Sequence, residues 1–255
     1  MRDTLTALVF VLLLSGAVAG LYRWRQVRGD RPRDDDADVG IVDYATMWVG
    51  VLYAIMLGLA VVAVWDARNG ASDNARDEAV ALREIQDSAE VLPAAQHERI
   101  DRVLHDYVRG VVDDEWTQMR DHERMDPQSE RRFQHLRDAV SDFQPKTAQQ
   151  ITVYNTQAKQ LADATAARAV RGDDASQGGE MSPILWFGVV IGAVITIAFA
   201  FAYPITRGWP QLAVVTTMAA MIAYTLFVIW TINPPFGGSM PVEPDQLQQL
   251  LATGD

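Results

Sequence analysis

The chain of 255 residues has no cysteine. Disulfides, thiol nucleophiles and thiolate metal sites are therefore excluded. Lysine is nearly missing as well: Lys146 and Lys159 stand against twenty arginines. The four histidines, His97, His105, His122 and His135, include no HExxH and no pair four residues apart. Such a pair is what would set two ligands on one helix face, so no metal site is expected. No GxSxG, Walker loop or GxGxxG occurs. The sequence therefore supports neither an enzyme nor a cofactor. The carboxylates Asp113, Asp114 and Glu115 read as a solvated helix face rather than an acid/base pair. A net charge of −11 disfavours nucleic acid as a partner, which needs clustered Lys and Arg. Alternating strand patterns are missing throughout, so the expected fold class is all-α.

Charge itself is missing from four windows: Leu5 to Tyr22, Tyr44 to Trp65, Pro183 to Tyr203 and Leu212 to Ile232. A helix needs roughly 20 apolar residues to cross the hydrocarbon core of a bilayer. Each window reaches or approaches that length, which predicts four transmembrane helices in a lipid bilayer. The implied segments are a first span over 1–22, an Arg/Asp-rich loop over 23–43 and a second span over 44–65. A soluble helical bundle follows over 66–181, then spans over 182–203 and 211–232, and a Pro/Gly tail with a short amphipathic helix over 233–255. In the first loop Asp34, Asp36 and Asp38 alternate like the start of a calcium loop. The glycine comes one place late and Ala45 stands where the last ligand belongs, so a solvated linker is expected.

Small residues recur every fourth place in two of the spans: Gly50, Ala54 and Gly58 in the second, Gly188, Gly192 and Thr196 in the third. Such stripes let helices approach closely, and the two seams are suited to each other. Together they point to a homo-oligomer. The spans hold no Asp, Glu, Lys, Arg or His. Intramembrane ionisable groups mark proton relays and ion-coupled carriers, so a pump is disfavoured while a passive pore is not. Tyr53, Thr216, Thr217 and Tyr224 are the hydroxyls that would face such a pore; Thr231 is a further polar group.

The second span continues into charged sequence without a proline, so one helix is expected to start in lipid and end in water near Leu92-Pro93. Trp65, Asn74 and Glu78 occupy the junction, and Gly70 offers a place to bend. Three more helices are predicted in the bundle. The first spans Gln96 to Met119, with a stripe of Ile100, Val103, Leu104, Tyr107, Val108, Val111, Val112 and Trp116. The second spans Ser129 to Phe143. The third is capped by Thr147, runs to about Val170 and uses Ile151, Tyr154, Ala158, Leu161 and Ala162. Gly172 to Ser182 reads as a linker. The alternative to a pore is a non-catalytic membrane-anchored sensor or scaffold, whose helical insert would bind a protein partner through the Ile100/Tyr107/Trp116 face or its surroundings. In the tail, Asp245 starts a short helix.

Arginine in short loops sets orientation. Arg23, Arg25, Arg28, Arg31 and Arg33 follow the first span and Arg207 the third, against Arg2 on the other side. This count puts the bundle and both termini outside; the expected location is the bacterial inner membrane.

Several stretches together resemble the bacterial bestrophin-like domain family, integral membrane proteins of unknown function. They are Tyr53-Ala54, Leu57-Gly58, Trp65, Glu78-Ala79 with Leu82, Leu92-Pro93, Tyr107, Glu115-Trp116 and Met119. Pro183, Leu185 and Trp186, then Pro235-Phe236 and Gly238, complete the set. The resemblance covers about Gly40 to Leu251. It implies a distant likeness to bestrophins, which are oligomeric anion channels with a funnel-shaped pore. It also implies a cytoplasmic bundle, against the arginine count. The bestrophin pore signature is not matched here, so no channel-lining residue carries over.

Overall fold

The computed structural model describes residues 12–21, 23–24, 36–176, 181–202 and 209–253. Among them every element is helical and no strand occurs. After α1 (Leu12–Leu21) come α2 (Asp36–Ala89) and α3 (Ala94–Gly110), then a π-helical turn (Val111–Glu115). α4 (Trp116–His122), α5 (Pro127–Ser141) and α6 (Ala148–Ser176) follow. α7 (Pro183–Ala202), α8 (Trp209–Ile232) and α9 (Asp245–Thr253) complete the order. The chain divides into two compact units: residues Met1–Trp65 with Met181–Ile232, and residues Asp66–Glu180 with Asn233–Asp255. The tail therefore belongs with the helical bundle.

In the first unit α2 and α8 contain stretches long and apolar enough to cross a membrane. Two shorter apolar helices, Leu12–Leu21 and Pro183–Phe199, fall in the other two charge-free windows. The unit packs through two buried clusters, one with Ala60, Val64, Val189 and Ile229, the other with Tyr53, Ala193 and Ile222. Large apolar side chains such as Leu52, Leu59, Ile184 and Trp230 point outward. Arg2, Arg25, Arg28, Arg31, Arg33 and Arg207, which carry the orientation count, lie outside the described residues.

α2 begins at Asp36, so the loop expected over 23–43 is shorter than its composition suggested. Gly70 does not interrupt the helix.

The core of the second unit is built from the heptad-like stripes. Ala71, Ala75, Ala79, Leu82, Ile85 and Ala89 of α2 meet Ile100, Leu104, Tyr107 and Val108 of α3. Phe133, Leu136, Ala139 and Val140 of α5 close over them. Asp126 caps α5 by accepting from the Ser129 amide at 3.0 Å, with Pro127 in the first turn. Thr147 Oγ1 accepts from the Gln150 amide at 3.2 Å and caps α6.

α6 departs from expectation in two ways. It continues to Ser176, into the stretch read as a linker, because Gly172 and Asp173 are tolerated in a helix packed along one side. It also buries a different face. Gln157, Leu161, Ala164, Arg168, Arg171, Asp174 and Ala175 turn inward, while Ile151, Ala158 and Ala162 are exposed. Of the apolar residues chosen from the sequence, Leu161 is buried and Tyr154 half-buried, while Ile151, Ala158 and Ala162 lie on the exposed side, because the buried stripe is partly charged.

Candidate functional site

Glu78 on α2, Tyr107 on α3, Glu115 in the π turn and Arg168 and Arg171 on α6 converge inside the second unit. Each is at most 5% exposed. Arg171 donates from Nε to Glu78 Oε2 at 2.9 Å and from Nη1 to Glu115 Oε1 at 2.8 Å. Arg168 grips Glu115 with two parallel bonds, Nη1 to Oε1 at 2.8 Å and Nη2 to Oε2 at 2.9 Å. The Tyr107 hydroxyl donates to Glu78 and accepts from Arg168 Nη1 at 3.0 Å. Two carboxylates thus balance two guanidinium groups, and their mutual attraction and hydrogen bonds offset the desolvation cost of burying the charges. Bidentate arginine–carboxylate bonds add geometric specificity.

Electrostatics reinforce the arrangement. Burial opposes the charge on Arg171, but Glu78 and Glu115 outweigh it and raise its pKa. Burial first, and Glu78 second, push the Tyr107 phenol well above its usual range, so it stays protonated and donating. Arg168 lies over the Tyr107 and Phe133 rings, with its guanidinium carbon 5.4 and 5.6 Å from their centroids. Arg171 lies 5.2 Å from the Trp116 centroid.

The π turn brings two consecutive residues inward. Glu115 and Trp116 are both buried, whereas Asp113 and Asp114 are exposed. The solvated reading of the three carboxylates is therefore corrected for Glu115. Its cause is the wider i→i+5 turn, a device often found at functional positions and invisible to a 3.6-residue period. Trp116 Nε1 donates to the Val242 carbonyl at 2.9 Å, and the Phe236 ring meets the Trp116 ring edge-on at 5.5 Å. Gly238 has φ 71°, which favours glycine, and Val242 N bonds the Pro235 carbonyl at 2.9 Å to close the tail loop. Arg68 Nε donates to the Met240 carbonyl at 2.8 Å. Ile100, Tyr107 and Trp116 are at most 1% exposed, so the face assigned to a protein partner is filled by the chain itself.

Of the junction residues, Glu78 enters the charge cluster, Asn74 donates to Asp174 Oδ2 at 3.2 Å, and Trp65 is 46% exposed. Burial raises the Asp174 pKa; the Asn74 bond opposes this and the Asp173 charge adds to it. The folded state thus holds this proton more tightly than the unfolded chain. The stability it contributes is present at acid pH and lost as pH rises through the raised value. Asp174→Asn is expected to flatten the acid limb of a melting-temperature profile taken from about pH 4 to pH 7 and to raise neutral-pH stability. An unchanged profile would show that Asp174 titrates normally.

In the first unit the two small-residue seams do not meet. A Cβ added at Gly50 or Gly58 would touch nothing within 4 Å. One added at Gly192 would lie 2.6 Å from the Tyr53 ring and 2.7 Å from Met56, and one at Gly188 would lie 3.9 Å from the Met56 sulfur. The third-span seam thus receives bulky side chains of α2 instead of its glycines. Thr196 bonds within its own helix, to the Gly192 carbonyl at 2.8 Å. Gly192→Ala is expected to cost about 1–3 kcal/mol by overpacking, read as a lower melting temperature in detergent, whereas Gly70→Ala, outside both seams and with nothing within 4 Å of the added Cβ, does not lower it. Equal effects would contradict this packing.

The hydroxyls separate similarly. Tyr53 is buried, and among the described residues neither its oxygen nor the buried Oγ1 of half-buried Thr216 has a bonding partner. Thr217 and Tyr224, seven residues apart on α8, face outward. Among the described residues no three His, Asp or Glu side chains gather as a metal site would require.

Sequence reasoning missed Arg168 and Arg171. Their signal was present: they continue the Gln157, Leu161, Ala164 stripe at spacings of three and four. The profile of the Bestrophin-like domain matches residues 11–247. The chain belongs to the bestrophin-like family. The motif residues Glu78, Tyr107, Glu115, Trp116, Met119, Phe236 and Gly238 all lie in the charge cluster or the tail loop docked on it. Two solved structures share the fold, both of a bacterial bestrophin homologue from Klebsiella pneumoniae. One carries a Leu-to-Thr mutation, with TM-score 0.70, and the other a Tyr-to-Ala mutation, with TM-score 0.60. Each is 13% identical and aligns over 100% of this chain and 98% of its own. No curated protein sequence matches at a significant level. The bestrophin-like family suggests a membrane protein.

Proposed function

We propose that this bestrophin-like protein is a self-associating, four-span membrane protein that forms a passive ion channel. Family membership over residues 11–247 carries the reading. It is supported by spans free of ionisable side chains, which suit a passive pathway rather than a pump. It is supported further by the uncovered Gly50, Ala54 and Gly58 face, which suits close approach of a second copy. A pore on an axis between copies is lined by groups that one chain leaves uncovered. Thr217 and Tyr224 meet that condition and Tyr53 does not. The arginine asymmetry supports an extracytoplasmic bundle in the bacterial inner membrane. The chain has no native thiol, so Gln128→Cys, at an exposed position of α5, reports the side directly. It is expected to react with an impermeant maleimide in intact cells; protection until lysis would instead place the bundle in the cytoplasm, as in bestrophins. Function is tested by anion efflux from liposomes containing purified protein. Efflux with an oligomeric mass in detergent is expected, and a silent monomer would contradict the proposal.

A further inference from the structure

A cavity of about 550 Å³ opens beside the charge cluster, between the turn from Arg124 to Pro127 and helices α5 and α6. That volume suits a small organic ligand. Arg168 reaches it. The inner edge of this guanidinium is saturated by Glu115 and Tyr107 at 2.8–3.0 Å. The remaining Nε–H points to Glu130 Oε2 at 3.3 Å, the longest of its bonds, and the Glu130 side chain is 54% exposed. Arg168 is buried, but solvent reaches the Glu130 side of the pair and screens it, which leaves about 0–1 kcal/mol. Glu130 has a second partner, accepting from Gln134 at 2.7 Å, so it can leave Arg168 without being stranded. Arg124 and Arg137 line the same cavity, and Met125, Phe133 and Ala169 supply apolar wall. Asp126 and Asp173 also line the cavity; Asp126 is engaged as the α5 cap and Asp173 is exposed to solvent, so Arg124, Arg137 and Arg168 stand against Glu130 and these two.

We propose that the cavity binds a small organic carboxylate, which takes the place of Glu130 on Arg168 and rests its carbon body on the apolar wall. Glu130 is then an internal stand-in for the ligand. The inference does not rest on conduction, and binding is measured separately from it.

The test is isothermal titration of full-length protein in detergent with benzoate, hexanoate and succinate, and with neutral benzamide as control. Saturable binding of at least one acid is expected, with benzamide at least tenfold weaker than benzoate if benzoate binds. Glu130→Gln removes the internal competitor and is expected to tighten the acid by up to about fivefold. Ala169→Phe fills the cavity from an exposed position and is expected to abolish binding without lowering the melting temperature. If none of the three acids saturates either the parent or Glu130→Gln, or if Ala169→Phe binds like the parent, the proposal is wrong.

Discussion

Arg171→Met is expected to destabilise the helical bundle by about 3–5 kcal/mol, the usual cost of removing one partner from a buried charge pair. Arg171 is fully buried and holds two carboxylates that no water reaches, Glu78 and Glu115. Its loss leaves the cluster with one guanidinium for two carboxylates. Adding Glu78→Gln restores the balance, with Glu115 still gripped by Arg168 and Tyr107 free to bond the new amide. The double variant is therefore expected to recover at least about 1 kcal/mol relative to Arg171→Met, within the range of coupling between touching groups. Thermal and urea unfolding followed by helical circular dichroism measure both. A loss below about 1 kcal/mol for Arg171→Met would mean the cluster is solvated. A double variant worse than additive would mean the two groups are not a pair.

Trp116→Ala is expected to cost about 3–5 kcal/mol and to release the tail. The indole is 1% exposed, packs against Phe236 and donates to the Val242 carbonyl. Removing it opens a large cavity beneath the loop between Pro235 and Val242. Trp116→Phe keeps most of the volume but leaves that carbonyl without its donor, a loss of about 1–3 kcal/mol. Limited proteolysis separates the two effects. The alanine variant should be cut within residues 233–244 at protease levels that spare the parent. Equal cleavage of parent and variant would show that Trp116 does not hold the tail.

Much of the fold is legible in the sequence because most helices here follow one rule. On α3 and α5 the buried stripe is apolar and recurs at 3.6 residues, so Ile100, Leu104, Tyr107, Phe133 and Leu136 are identifiable by spacing alone. Pro93, Thr147 and Pro183 mark helix starts through capping and fixed φ, whereas α5 opens at Pro127, two residues before the start expected at Ser129. The candidate site is less legible because it breaks that rule. Arg168 and Arg171 occupy core positions, so a search for apolar residues chose Ile151, Ala158 and Ala162 on the opposite face of α6. Glu115 looked solvated because the π turn rotates it inward, and no residue type announces such a turn. Only the resemblance picked out Glu78, Tyr107 and Glu115 together, without stating what joins them. The seams show a different limit. Spacing identifies glycines on one helix face, but not whether the neighbour is another seam, a Tyr53 ring or a second chain.

The central claim is conduction, and single-channel recording tests it most directly. Purified oligomer in a planar bilayer, under a chloride gradient, is expected to give unitary currents that reverse near the chloride potential. Currents should change in size when Thr217 or Tyr224 is replaced by Leu. Silence across voltages and ions from a protein of intact helical content, or currents indifferent to both substitutions, would contradict the account.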